Sequence, residues 1–269
     1  MFKFFSYFFQ NKSNFDDKCY AWNSGSSKFE KIANFKIIPS SLLKGIENQK
    51  NIIKKNTNKF ANGYISNNAL IWGVRGNGKS TLVKSIFNEI SEDFINLKLI
   101  ELKKNDLKKI SEIFKILENQ KKFRFILFID DLSFEKIDVD YKNVKSMIEG
   151  NINNQPSNVI IYATSNRRHI ISQDMIDNER SSAIHTNENI EEKVSLSDRF
   201  GIWIGIHNLS QEDYIKIIKS YCDYFKINID ENNLKESLEW SITRGNRTGR
   251  TAWQFIIELA SNKEISINY

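Results

Sequence analysis

The chain has 269 residues and a formal charge of +6, from 39 Lys+Arg against 33 Asp+Glu. That length holds one large or two modest domains with a buried core. The excess lysine is scattered, with no dense basic block, which describes a solvated surface rather than a dedicated polyanion binder. A nucleic-acid partner stays open, with no residue that argues for it. The two cysteines, Cys19 and Cys222, stand far apart in no metal or redox spacing and point to the cytoplasm, and no apolar run is long enough to span a bilayer.

Residues 1–9 are dense in aromatics but too short in their apolar part for a secretory signal, and no small-residue cleavage site follows. Three readings stand: packing on the domain as a helix or strand, docking on a partner, or lying at a membrane surface, the last with little basic charge to support it. Residues 10–30 are polar and contain a loop at Ser24-Gly25-Ser26-Ser27, with Trp22 as a packing anchor. Leu42-Leu43-Lys44-Gly45-Ile46 precedes a helix running to about Phe60. A segment in this place can wrap a nucleotide base, with Gly45 and Ile46 as candidate contacts; the plainer reading is an ordinary helix start.

Ala69-Leu70-Ile71-Trp72 reads as a buried strand, and Leu82, Val83, Ile86, Phe87 and Ile90 as one face of a helix. Between them stands Gly73-Val74-Arg75-Gly76-Asn77-Gly78-Lys79-Ser80-Thr81, the spacing G-x-x-x-x-G-K-[ST] of a phosphate loop. Glycines let successive backbone N–H groups converge on phosphate oxygens, and the helix N-terminus adds partial positive charge. Lys79 supplies a full charge, and the Ser80 hydroxyl suits Mg²⁺. The motif implies a bound nucleotide.

Leu97 to Leu102 reads as a strand, followed by a helix capped by Asp106 with Leu107, Ile110, Ile113, Phe114 and Leu117 inward. Phe125-Ile126-Leu127-Phe128-Ile129 is a continuous apolar run closed by Asp130 and Asp131, as expected of a strand buried on both faces of a parallel sheet. Asp130 at its end suits the metal and Asp131 the polarisation of an attacking water, with Glu135 as a fallback. A helix follows over Tyr141 to Ile152. Asn158 to Asn166 is a further buried strand, and Asn166 either contacts the water or γ-phosphate or is a turn residue, an ambiguity that Thr164 and Ser165 share. Arg167, Arg168 and His169 come next; His169 has no second His at metal spacing. Residues 172–194 read as a long loop. Arg199 precedes a last strand, Ile202 to Ile206, where it suits a finger aimed at a neighbour's nucleotide or pairs with Asp198.

From Leu209 the chain turns to helices only. Ser210 caps one with Tyr214, Ile217, Ile218, Tyr221 and Phe225 apolar; Leu234, Leu238 and Ile242 mark a second; a third follows Gly249. Arg250, in the first turn of the third, is placed to reach the phosphates across the gap between domains.

The order of phosphate loop, Asp-Asp strand, Asn strand, Ser-Asp-Arg-Phe and helical lid resembles an AAA+ ATPase. The strings Phe125-Ile126-Leu127-Phe128 with Asp130-Asp131-Leu132-Ser133-Phe134-Glu135, Ala163 to His169, Ser195 to Gly201 and Gly249-Arg250-Thr251-Ala252 are similar to a bacterial family of predicted AAA+ ATP-binding proteins classed as a domain of unknown function. So are Asn56-Thr57 with Phe60 and Gly63, and the loop residues from Leu70 to Ser80. The resemblance implies an α/β fold with a three-layer αβα core, a parallel sheet in spatial order 5-1-4-3-2 and a small all-α lid. It divides the chain into an N-terminal extension (1–40), a nucleotide-binding core (41–208) and the lid (209–269). It implies a sensor role for Asn166, a finger acting in trans for Arg199 (or Arg167 or Arg168), a lid sensor in Arg250, a homo-oligomer, and an unidentified protein client. Asp131 stands where AAA+ proteins generally carry Glu. Its shorter reach opens a second reading, an ATP-gated binding switch with negligible turnover. A P-loop kinase would place its acceptor site in a lid insertion between core strands, and this chain has its helical bundle after them.

Overall fold

The computed structural model describes residues 15–33, 35, 37–133, 155–166 and 200–267. The aromatic segment 1–9, Glu135, the helix expected over 141–152, Arg167, Arg168, His169, the loop 172–194 and Arg199 lie outside the described residues.

Seven strands among the described residues form one sheet: β1 (Cys19–Asn23), β2 (Lys28–Lys31), β3 (Ala69–Gly73), β4 (Leu97–Leu102), β5 (Arg124–Ile129), β6 (Val159–Ser165) and β7 (Ile202–Ile206). Their order is β2-β1-β4-β5-β6-β3-β7, and only the β1–β2 pair is antiparallel. Read from the β7 edge, the five core strands stand as β7-β3-β6-β5-β4, the expected 5-1-4-3-2. The loop expected at Ser24–Ser27 is present, but strands that the sequence reading did not place stand on both sides of it. Residues 19–31 fold as a hairpin whose β1 joins β4 in parallel, Cys19 opposite Leu99. The Ser24–Ser27 stretch is its turn, held by Asn23 Oδ1, which accepts the N–H groups of Gly25 and Ser26 at 2.9 and 3.2 Å. Trp22 is the anchor expected, buried and edge-on to Phe29 at 4.8 Å.

Side chains alternate along each strand into two clusters, as a period of two requires. From β5, Ile126 and Phe128 face one cluster, and Phe125, Leu127 and Ile129 the other. The first cluster takes in α1 (Glu47–Ala61) and α2 (Lys79–Asp93), the second α3 (Ile110–Glu118) and Trp22 of the hairpin. The five apolar residues expected to face inward from the phosphate-loop helix are all buried on α2. Asp106 does cap: its carboxylate accepts the Lys103 N–H at 2.7 Å. It caps a 3₁₀ stretch over Lys104–Lys109, however, and the α-helix begins at Ile110.

One polar group sits deep in the first cluster. Tyr162 on β6 is 1% exposed, and its hydroxyl meets Asn56 Nδ2 at 2.9 Å and Thr57 Oγ1 at 2.8 Å, both from α1. Burial pushes its phenol up to about 12. Asn56 and Thr57, prominent in the family resemblance, therefore tie α1 to the sheet. Phe60 does the same from beneath the Arg124 guanidinium, 4.2 Å from its ring centre.

Three helices complete the chain: α4 (Gln211–Phe225), α5 (Glu231–Thr243) and α6 (Gly249–Asn262). Ser210 caps α4 as expected, accepting the Asp213 N–H. Tyr214, Ile217, Ile218 and Tyr221 of α4 and Ala252, Phe255, Ile256 and Leu259 of α6 join the same cluster as α1 and α2, so the lid and core share one apolar continuum. Ile242, expected on the apolar face of α5, is 68% exposed; that helix packs inward through Leu234, Ser237, Leu238 and Ser241 instead.

Both cysteines are free and buried. Desolvation pushes the thiol of Cys19 up to about 12 and that of Cys222 up to about 11. Thiolate is the reactive form, so a disulfide-exchange reagent at neutral pH should label neither in native protein and both after denaturation. Rapid labelling of the native protein would contradict this packing.

Candidate nucleotide site

Every ligand-facing element meets at the C-terminal ends of the parallel strands, where such sheets leave a crevice. The phosphate loop leaves β3, Asp130 and Asp131 leave β5, and Asn166 leaves β6, which lies between the other two. The cavity there measures about 520 Å³. Of the residues expected from sequence, Arg75, Gly76, Gly78, Lys79, Ser80, Thr81, Asp130, Asp131, Asn166 and Arg250 line it.

The loop is shaped by its neighbours. Gly73 takes φ +142°, and a Cβ there would stand 1.9 Å from the Ile206 carbonyl oxygen of β7. Gly76 sits under α6, where a Cβ would crowd Arg250 and Thr248 at 3.2 Å. The Gly76 carbonyl accepts the Arg250 N–H at 3.0 Å, so the lid helix rests directly on the loop. Asn77 is buried behind the loop rather than in the cavity, and its Nδ2 donates to the His207 carbonyl at 2.9 Å.

Lys79 donates to the carbonyls of Gly73 and Val74, both at 2.9 Å, and to Asn166 Oδ1 at 2.8 Å. Burial holds its ammonium below the usual lysine value, the Asp130 and Asp131 carboxylates draw it back up, and Arg250 and Arg75 add a downward push. A bound polyphosphate would favour its charged form further.

The acids form a linked group. Ser80 Oγ donates to Asp130 Oδ1 at 2.5 Å, and Thr164 Oγ1 donates to the same oxygen. Asp131 has φ +54°, a left-handed backbone that Asp tolerates better than most residues. Its carboxylate accepts from Asn166 Nδ2 at 2.5 Å. Asn166 therefore touches Lys79 with one end of its amide and Asp131 with the other, and it lines the cavity. The paired oxygens of Ser80 and Asp130 fit Mg²⁺, which binds through one or two protein oxygens together with phosphates and water.

Gly45 and Ile46 stand outside the cavity. Gly45 turns the chain at φ +77° beneath Asp213 of α4, and Ile46 points into the core. The apolar wall comes instead from Ile37, Ile38 and Leu43 on one side and Tyr221 and Trp253 of the lid on the other. The two lid rings lie 5.3 Å apart. Lys84, one turn beyond Ser80, also lines the cavity and pairs with Glu101 at 3.2 Å.

A parallel sheet in this order, with a phosphate loop after its first core strand, acids after the third, an asparagine after the fourth and a helical lid resting on the loop, is the AAA+-like α/β fold expected. The chain belongs to the family described as "Protein of unknown function (DUF815)", whose profile matches residues 16–263. Solved structures of the same fold include a RuvB of Thermotoga maritima, at 19% identity and TM-score 0.52, with 85% of this chain and 70% of that one covered. The ORC1 protein of Aeropyrum pernix, in complex with DNA, is similar at 13% identity and TM-score 0.57 over 84% of this chain and 63% of that one. A chain of the HORMA:CdnC:Trip13 complex of E. coli MS115-1 is similar at 12% identity and TM-score 0.52, over 81% and 89%. At these identities the likeness is one of fold. No curated protein matches the chain by sequence.

Proposed function

We propose that the protein binds ATP with Mg²⁺ and hydrolyses it, using the cycle to remodel or gate a macromolecular partner. The observation that carries this is the convergence of Lys79, Ser80, Asp130, Asp131 and Asn166 on one cavity at the strand ends. Lys79 and the loop N–H groups hold the phosphates, and Arg75 and Arg250 add positive charge at the rim. Ser80 and Asp130 would hold the metal, which supplies charge neutralisation at the phosphate oxygens when bound. Asp131 takes the proton of a water that attacks the γ-phosphorus, the bond to the bridging oxygen breaks, and ADP and phosphate leave. Asn166 aligns that water and Asp131. Ile37, Ile38, Leu43, Tyr221 and Trp253 enclose the base.

Arg199, or Arg167 or Arg168, acts as a finger from a neighbouring copy, which makes the working form a homo-oligomer. Such a finger contributes roughly 10³–10⁵ in rate, about 4–7 kcal/mol of barrier. The division into extension (1–40), core (41–208) and lid (209–269) and a cytoplasmic location belong to this reading. No helix among the described residues is long and apolar enough to cross a membrane. The client is a protein; a DNA partner, as in the ORC1 structure, is tested by stimulation of turnover that salt abolishes.

Phosphate release measured against protein concentration tests the reading. Specific activity should rise as the protein assembles. Asp131→Asn should bind ATP as the wild type does and lose roughly 10²–10⁴ in turnover, the contribution of a general base. The geometry at Asp131 favours one second reading: a short, left-handed acid already bonded to Asn166 suits a switch that binds ATP and hardly turns over. Multiple turnovers eliminated by Asp131→Asn would reject the switch; ATP binding with no turnover at any concentration would reject the hydrolase.

A further inference from the structure

Thr164, the last but one residue of β6, has 1% of its surface exposed, and it bonds to three successive residues of the neighbouring chain segment. Its hydroxyl donates to Asp130 Oδ1 and accepts the Asp131 N–H at 2.9 Å. Its carbonyl accepts the Leu132 N–H at 2.7 Å. The regular β5–β6 register stops at Ile129 opposite Ala163. Past that point nothing in a parallel ladder dictates where Asp130 and Asp131 go, and loop acids at a strand end would ordinarily be set by solvent. Here one side chain replaces the ladder. Without Thr164 the Asp131 N–H would lose its protein partner, and the left-handed turn that carries Asp131 is costly by itself. The Asp130 carboxylate would be held by Ser80 alone, a residue on another element.

We propose that Thr164 is the positioning residue of this site: a single hydroxyl fixes both the carboxylate beside Ser80 and the backbone turn that presents Asp131. This rests on the ATP reading above. Threonine suits the task because its β-branch fits a buried strand and its hydroxyl donates and accepts at once. Valine keeps the shape and removes both bonds; serine keeps both bonds and loses a methyl group.

The test compares Thr164→Val, Thr164→Ser and wild type in two measurements. One is steady-state hydrolysis; the other is ATP affinity with Mg²⁺ and with EDTA. Thr164→Val should lower kcat about a hundredfold, as a misplaced reacting group does, with KM little changed. Its affinity for ATP in EDTA should match wild type, whereas the gain in affinity on adding Mg²⁺ should shrink roughly tenfold, the usual effect of losing a partner of a metal-binding carboxylate. Thr164→Ser should restore both. Should circular dichroism show Thr164→Val misfolded, Thr164→Ala takes its place with the same expectations. The inference is overturned if the valine variant matches wild type in kcat and Mg²⁺ gain, or if serine is as defective as valine. Wild-type protein that binds ATP without turnover would remove the hydrolase reading and leave the Mg²⁺ gain to decide for Thr164. Wild-type protein that binds no ATP would remove both.

Discussion

Lys79→Ala is expected to weaken ATP binding by about 3 kcal/mol, roughly two orders of magnitude in Kd, the usual cost of truncating one partner of a hydrogen-bonded charge pair. The effect is large because, among the described residues, no other cation lining the cavity is so placed. Arg75 and Arg250 line the rim, and both are exposed to water that screens them. Lys84 is half-buried and paired with Glu101. Of these four only Lys79 is buried, 6% exposed, with its ammonium group among the loop carbonyls. Removal also leaves Asn166 Oδ1 without its donor at 2.8 Å, loosening the amide that holds Asp131. Turnover at saturating ATP should therefore fall as well. The fold should survive, since alanine at the first position of α2 has high helix propensity. Calorimetric titration with a slowly hydrolysed analogue measures the first effect, and a thermal melt without nucleotide checks the second. An affinity equal to wild type would mean that the loop does not cradle phosphate, and the assignment of the cavity would fall.

The phosphate loop was legible because its chemistry constrains sequence tightly: glycines where the backbone must curl, then a lysine and a hydroxyl at fixed offsets. The strand order came with the family resemblance that these motifs carry, and the five core strands have it. The apolar wall of the cavity was not legible. Ile37 and Ile38 belong to a stretch with no periodicity, and their place in the cavity depends on tertiary packing alone. Trp253 was closer to hand: it follows Arg250 by three residues on a helix, so both share one face, and both line the cavity. The hairpin was hidden by short strands and a Ser/Gly turn. Tyr20 and Trp22 alternate with small residues, but two such positions are too few to separate a strand from a loop. The turn at Asp131 was out of reach, because nothing in the string Ile129-Asp130-Asp131-Leu132 distinguishes an extended strand end from a left-handed one. The partners of that turn come from over thirty positions later, where Thr164 accepts the Asp131 and Leu132 N–H groups.

Gly73→Ala should unfold the site from behind. The added carbon would lie 1.9, 2.8 and 3.1 Å from the carbonyl oxygen, carbonyl carbon and nitrogen of Ile206, all backbone atoms that no rotamer change can move. Gly73 also holds φ +142°, which an L side chain rarely adopts. Relief requires β7 to shift away from β3, and the five register pairs from Ala69–Ile202 to Gly73–Ile206 would go with it. So would the bond from Asn77 to His207 that anchors the back of the loop. A cost above about 4 kcal/mol is expected, in the range reserved for strain at special backbone positions, and it should lower Tm by about 10 °C or more in a chain of this size. Gly205→Ala gives the contrast. Its added carbon would meet Trp72 Cζ2 at 2.7 Å, and a ring can tilt where a backbone cannot. The melting temperatures should therefore fall in the order wild type, Gly205→Ala, Gly73→Ala, whether or not ATP is the ligand. A Gly73→Ala protein as stable as wild type would show that β3 and β7 do not meet as closely as here, and the shape of the loop that springs from β3 would need another cause.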